Sequence, residues 1–180
     1  GGATYGQVAK LTAADDAAGD FFGISVAIDG ATVAVGAHEW GHYGHGAAYV
    51  FRTSNDGATY GQVAKLTAPV GASGHYFGFR VAIDGETIAI GEPQWTSKGP
   101  GAAYVLRISD GCVVAKLTAS DGAAIDNFGI SVAADGGTVV VGALRDDDAG
   151  SSSGSVYVFR TPAPTVICDS SDGDSSGGDD

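Results

Sequence analysis

Residues 57–68, GATYGQVAKLTA, reproduce residues 2–13 letter for letter, and VAKLTA returns once more at 114–119. Other signals recur in the same order: Phe22-Gly23, Phe77-Gly78 and Phe128-Gly129, then Gly36, Gly91 and Gly142, then Tyr49, Tyr104 and Tyr157. Such self-similarity constrains the fold more than composition does. Each unit is a supersecondary element that cannot bury its apolar surface alone and must stack on a neighbour. The chain therefore reads as three repeated units rather than one domain with a single core.

Within each repeat, four short apolar runs alternate with turn chemistry. In the first they span 24–28, 32–37, 47–52 and 63–67. Asp29-Gly30, Asp84-Gly85 and Gly136-Gly137 separate the first two runs. Such dipeptides favour a tight hairpin with positive φ, so neighbouring strands are antiparallel. Thirty glycines, no methionine and no sustained helical period agree with short strands and tight turns. Ile24, Val26 and Ile28 alternate with Ser25 and Ala27, and Tyr49 and Phe51 with Ala48 and Val50. Both faces of each sheet are thus apolar or small, and both must be covered. Radially stacked sheets meet that requirement, with Ala27 and Gly36 allowing close approach where they converge. Lys10, Lys65 and Lys116 fall on the last run, where a solvated lysine protects an outer edge from pairing; they are assigned no chemistry.

The residues F-G-I-S-V-A-I-D-G, then V-G-A, then A-Y-V-F-R resemble FG-GAP repeats, known from the propeller head of integrin α-subunits and from many secreted microbial and algal proteins. The resemblance covers nearly all of residues 1–160 and recurs three times. It implies an all-β chain of three four-stranded antiparallel blades, part of a β-propeller. In that family the chain enters with the outer strand of one blade and then builds the inner strands of the next. This register makes 1–14 the outer strand of a preceding blade, and 15–68, 69–119 and 120–168 the three blades. The last blade ends in a degenerate strand at 166–168, or is closed by 8–12 of this or another copy. Propellers have about four to eight blades, so three leave the ring to be completed elsewhere. Further repeats outside this sequence are the favoured completion; association of copies and an open array are the alternatives. Integrin-like repeats carry a D-x-D-x-D-G type loop that offers several oxygens to calcium, whereas tight Asp-Gly or Gly-Gly turns stand here, so that site is not carried over.

The formal charge of −12 argues against nucleic acid as a partner, because phosphate binding needs a basic surface. Residues 169–180 contain only Asp, Ser and Gly and read as a disordered acidic tail. The chain opens at Gly1 without a basic start or an apolar run long enough for a signal or a membrane span, and reads as a processed or excerpted piece. Cys112 and Cys168 permit one disulfide in an oxidising compartment; two buried thiols are the alternative.

Antiparallel topology sends the loops between second and third strands, and those between blades, to one face. That face collects the unusual residues. Asp146, Asp147 and Asp148 supply oxygens suited to weakly bound calcium, assisted by Asp121 or Asp126, with a solvated acidic turn as the alternative. His38, His42 and His45, near Glu39, offer imidazoles to zinc or copper, against an exposed polar loop. Trp40 and Trp95 hold matching positions with Tyr43 close by; they either plug the hub or stack on a sugar ring or partner, and are the best candidate ligand contacts. Residues 150–154 match G-x-S-x-G, but a nucleophile elbow needs a strand-to-helix turn with a positioned histidine and acid, so the match is read as coincidence.

No P-loop, dinucleotide fingerprint or Cys-x-x-Cys pair occurs. The chain is read as a non-enzymatic extracellular or cell-surface scaffold whose loop face binds protein or glycan, requiring no cofactor. A structural subunit of a larger extracellular assembly is the alternative, and an enzyme at the central face comes third.

Overall fold

A computed structural model describes residues 6–15, 17–38, 46–69, 76–95 and 99–160. Eleven strands and no helix form among them. Blade 1 holds β1 (Ser25–Asp29), β2 (Thr32–Ala37), β3 (Ala47–Arg52) and β4 (Gly61–Thr67). Blade 2 holds β5 (Arg80–Asp84), β6 (Thr87–Glu92), β7 (Ala102–Arg107) and β8 (Val113–Leu117). Blade 3 holds β9 (Phe128–Asp135), β10 (Thr138–Ala143) and β11 (Ser155–Arg160). Each sheet is antiparallel with strands in chain order, as the sequence predicts. The degenerate strand expected at 166–168 and the tail at 169–180 lie outside the described residues. Residues 6–13 form no strand.

Side chains alternate between two faces of each blade, as a strand's period of two requires. We call the face turned to the preceding blade leading and the other trailing. Small trailing residues of blade 1, Ala34, Ala48 and Val50, form one core with Val81, Ile83, Ile88, Ile90, Tyr104 and Leu106 of blade 2. The joint repeats once: Ala89, Ala103 and Val105 of blade 2 meet Val139 and Val141 of blade 3, with Val132, Tyr157 and Phe159 packed alongside. Small against large lets the sheets approach without voids.

Backbone contacts tighten each joint. The Phe-Gly turn that opens a blade inserts between two glycines of the blade before it. A Cβ on Gly36 would lie 2.1 Å from the Gly78 carbonyl oxygen, and one on Gly46 2.0 Å from that of Phe77. Blade 2 repeats this with Gly91 against Gly129 at 2.1 Å and Gly101 against Phe128 at 2.2 Å. Only glycine fits such an approach. Hydrogen bonds also cross the joint: the Val81 N–H donates to Ser25 Oγ at 3.1 Å, the Gly85 N–H to Asp29 at 2.8 Å, and the Gly137 N–H to Asp84 at 3.1 Å.

Burial of both faces holds between blades and fails at the two outer ones. Val26 and Ile28, on the leading face of blade 1, are 67% and 68% exposed, whereas Val81 and Ile83 at the same places in blade 2 are buried. Val156 and Val158, on the trailing face of blade 3, are 67% and 65% exposed, whereas Ala103 and Val105 are buried. The three blades form an open arc.

Candidate functional site

The strand order carries the β2–β3, β6–β7 and β10–β11 loops and the inter-blade segments to one face. A row of rings crosses the blades there. Phe21 lies 5.1 Å from His38, His38 meets Phe79 edge-on at 5.3 Å, and Phe79 meets Trp95 at 6.3 Å. Tyr76 stacks on His38 at 5.9 Å. Guanidinium groups flank the row, Arg80 over Phe79 at 4.4 Å and Arg145 over Trp95 at 5.6 Å. Trp95 is 36% exposed, and Phe21 and Leu144 are exposed as well.

Trp95, expected as a ligand contact, therefore stands at the surface between a ring and a cation. Trp40 and Tyr43, expected with it, lie outside the described residues, as do His42, His45 and Glu39. His38, considered as a metal ligand, is buried among aromatic rings. Desolvation, with a smaller push from the charge of Arg80, lowers its pKa, so it is neutral at pH 7.

Beside this row, each third strand directs a tyrosine hydroxyl to a carboxylate, a role that sequence reasoning missed. Tyr49 donates to Asp15 at 3.1 Å, and Lys65 pairs with the same aspartate at 2.5 Å while lying over the Tyr49 ring. Lys65 is thus more than a solvated edge residue. Lys116 lies likewise over Tyr104 at 5.5 Å. Tyr104 bonds Glu92, which is buried at the end of β6. Burial first, and then the Glu92 charge, push the Tyr104 hydroxyl pKa up. Tyr157 bonds both Asp121, at 2.9 Å, and Asp146, at 2.8 Å. The recurrence of Tyr49, Tyr104 and Tyr157 was the one available signal.

The expected calcium ligands are divided among separate tasks. Asp146 is turned inward, 3% exposed, and accepts from Tyr157, from the Ser155 hydroxyl at 2.9 Å and from the Asp148 N–H at 3.3 Å. Hydrogen bonds from Tyr157 and then Ser155 hold its pKa below the usual carboxylate value. Asp147 and Asp148 are exposed. Asp148 is pushed up, first by the charge of Asp146 and then by Asp121. Asp126 is buried and accepts the Ala123 N–H at 2.6 Å, shaping its own loop as Asp20 does through Ala17 at 3.0 Å. No group of three or more His, Cys, Asp or Glu among the described residues is arranged to hold a metal ion. Residues 150–154 form turns between β10 and β11, where Ser152 takes a φ of +53°; this is not the strand-to-helix turn of a nucleophile elbow.

A cavity of about 160 Å³ lies beside Tyr49, lined by Asp20, Gly46, Lys65 and Thr67. Ligand pockets for drug-sized molecules run from roughly 300 to 1,000 Å³, so this cavity is below that range.

Residues 5–51, 60–106 and 113–159 each match the FG-GAP repeat family, together covering more than half of the sequence. The chain belongs to the FG-GAP repeat family. No curated protein matches it. The second and third family matches begin at or near the last strand of one sheet, β4 or β8, and run through the first three strands of the next, while the first begins in the segment ahead of β1 that forms no strand. The FG-GAP unit and the blade are thus offset by one strand.

Proposed function

We propose that this FG-GAP chain is a non-enzymatic binding scaffold of the cell exterior or surface, and that its loop face takes a protein or glycan ligand. The observation that carries the proposal is the ring row ending at Trp95. Rings held edge-on by their neighbours offer rigid contact area at low entropic cost, and an adjacent guanidinium adds a donor at the rim. Cys112 is disulfide-bonded, which supports an oxidising compartment; the chain's other cysteine, Cys168, lies outside the described residues. Calcium, where it associates with Asp147 and Asp148, does so weakly and without structural weight.

The test is binding of labelled chain to an array of glycans and immobilised extracellular proteins, for the wild type and for Trp95→Ala. Expected is a selective signal that falls at least tenfold in the variant while the fold is retained. Equal signals from both proteins, or turnover of ester, glycoside or phosphoester substrates that one loop substitution abolishes, would refute the reading.

A further inference from the structure

The two exposed blade faces are the two halves of one joint that the chain already builds twice. The leading face of blade 1 offers Val26 and Ile28 where Val81 and Ile83 of blade 2 are buried against blade 1. The trailing face of blade 3 offers Val156 and Val158 where Ala48 and Val50, and then Ala103 and Val105, are buried.

The backbone fittings match as well. Gly142 and Gly154 of blade 3 hold the places of Gly91 and Gly101, yet no Phe-Gly carbonyl from another blade lies against them. Gly23 of blade 1, the counterpart of Gly78 and Gly129, has open space where those two meet a carbonyl oxygen at 2.1 and 2.2 Å. Ser131 and Asp135, exposed on blade 3, hold the places of the acceptors Ser25 and Asp84.

A strand is also in position. Leu11 and Ala13 pack on the leading face of blade 1 as Leu66 and Ala68 of the β4 segment pack on blade 2. Residues 8–12 have the sequence of 63–67 within β4 and lie where the fourth strand of a preceding blade belongs, but they pair with no strand among the described residues. Among the described residues β11 is the last strand of blade 3, and its outer edge has no paired strand there.

We propose that the chain associates head to tail with a second copy of itself. Blade 1 of one copy docks on blade 3 of the other, and residues 8–12 add a strand to β11. A surface and its complement carried on the same chain make a heterologous contact, which closes into a ring or extends as a filament. The pairing of Tyr49 with Lys65 fixes the register: Lys10 of the arriving copy stands opposite Tyr157, above its ring and beside Asp121, as Lys65 stands over Tyr49 beside Asp15. Donated strands of this kind bind through main-chain hydrogen bonds, with side-chain pockets setting specificity. The proposal is independent of any ligand at the loop face.

Two double variants on exposed strand positions test it. Val26→Lys with Ile28→Lys blocks the leading face, and Val156→Lys with Val158→Lys blocks the trailing face. Native mass spectrometry and light scattering at tens of micromolar should find wild-type chain above monomer mass and each variant monomeric with an unchanged circular dichroism spectrum. An equimolar mixture of the two variants should form a one-to-one dimer, because one free face of each kind remains. A monomeric wild type, a variant that assembles like the wild type, or a mixture that stays monomeric would each overturn the proposal.

Discussion

Tyr157 Oη lies 2.8 Å from Asp146 Oδ2, joining the third strand of blade 3 to the loop that leads into it. A phenol has one proton, and Asp121 Oδ1 at 2.9 Å competes for it. Removing the hydroxyl leaves a buried carboxylate short of a donor. Tyr157→Phe should cost about 1–2 kcal/mol, as expected when a buried acceptor loses its partner. Tyr49→Phe should cost less, because Asp15 keeps Lys65. Urea denaturation of both variants gives the comparison, and equal midpoints would contradict it.

The same cluster sets a pH dependence of known sign. Asp148 has its pKa raised by neighbouring carboxylates, so its ionised form weakens the fold above the folded-state pKa, and the penalty is gone below the unfolded value of 3.8. Asp148→Asn should therefore raise the melting temperature at pH 7 and lose that advantage on acidification towards pH 3. Asp146 is lowered, so its contribution is present above 3.8 and disappears as pH falls through its depressed pKa. Asp146→Asn should accordingly lower the melting temperature at pH 7, and the two variants should converge in acid.

The blades were legible because period and turn chemistry are local. Ala47–Arg52 and Thr32–Ala37 form strands where the apolar runs and the Asp29-Gly30 dipeptide predict them. The tyrosine bonds were not legible, since Tyr49 finds Asp15 thirty-four positions away and Lys65 reaches it across fifty, separations set by how the segment that enters a blade returns against its third and fourth strands. His38 was misjudged for the same reason. Its burial comes from Tyr76 and Phe79 of the following blade, which no pattern around position 38 reveals.

Repeats one and three carry Asp15 and Asp121 in the inter-blade loop and Ala37 and Ala143 at the end of the second strand, whereas repeat two has Val70 and Glu92. The carboxylate that meets Tyr104 has thus changed its element of origin. Glu92→Ala should cost about 1–3 kcal/mol by stranding the Tyr104 hydroxyl. Glu92→Gln, which keeps an acceptor oxygen on the same strand end, should lose less. Chemical denaturation of the two variants decides between loss of the acceptor and loss of packing: equal midpoints would point to packing alone.

With Asp146 bound to Tyr157 and Ser155, only the exposed Asp147 and Asp148 offer unengaged carboxylates in that loop. Calorimetric titration should find calcium binding no tighter than about 10⁻⁴ M, the range of weak extracellular sites, and chelator should leave the melting temperature unchanged. Sub-micromolar binding lost on Asp→Asn changes at all three positions would show a far better built site.

The glycines at the joints make the sharpest distinction. Gly91 faces the Gly129 carbonyl of the next blade, and a Cβ there would lie 2.1 Å from its oxygen. Backbone cannot yield as a side chain does, so Gly91→Ala should cost about 3 kcal/mol or more, the upper end of overpacking, and prise blade 3 from blade 2. Gly142 occupies the same place in blade 3, but its Cβ would meet only the Ser131 hydroxyl at 2.3 Å, which a change of rotamer relieves. Gly142→Ala should therefore cost under about 1 kcal/mol in a monomer, as a surface substitution does. In a head-to-tail assembly it should act like Gly91→Ala, because the Gly23 carbonyl of the second copy would then occupy the space. Melting temperature measured at low and high protein concentration separates the two cases: Gly91→Ala should be destabilised at both, and Gly142→Ala only where wild-type chain assembles.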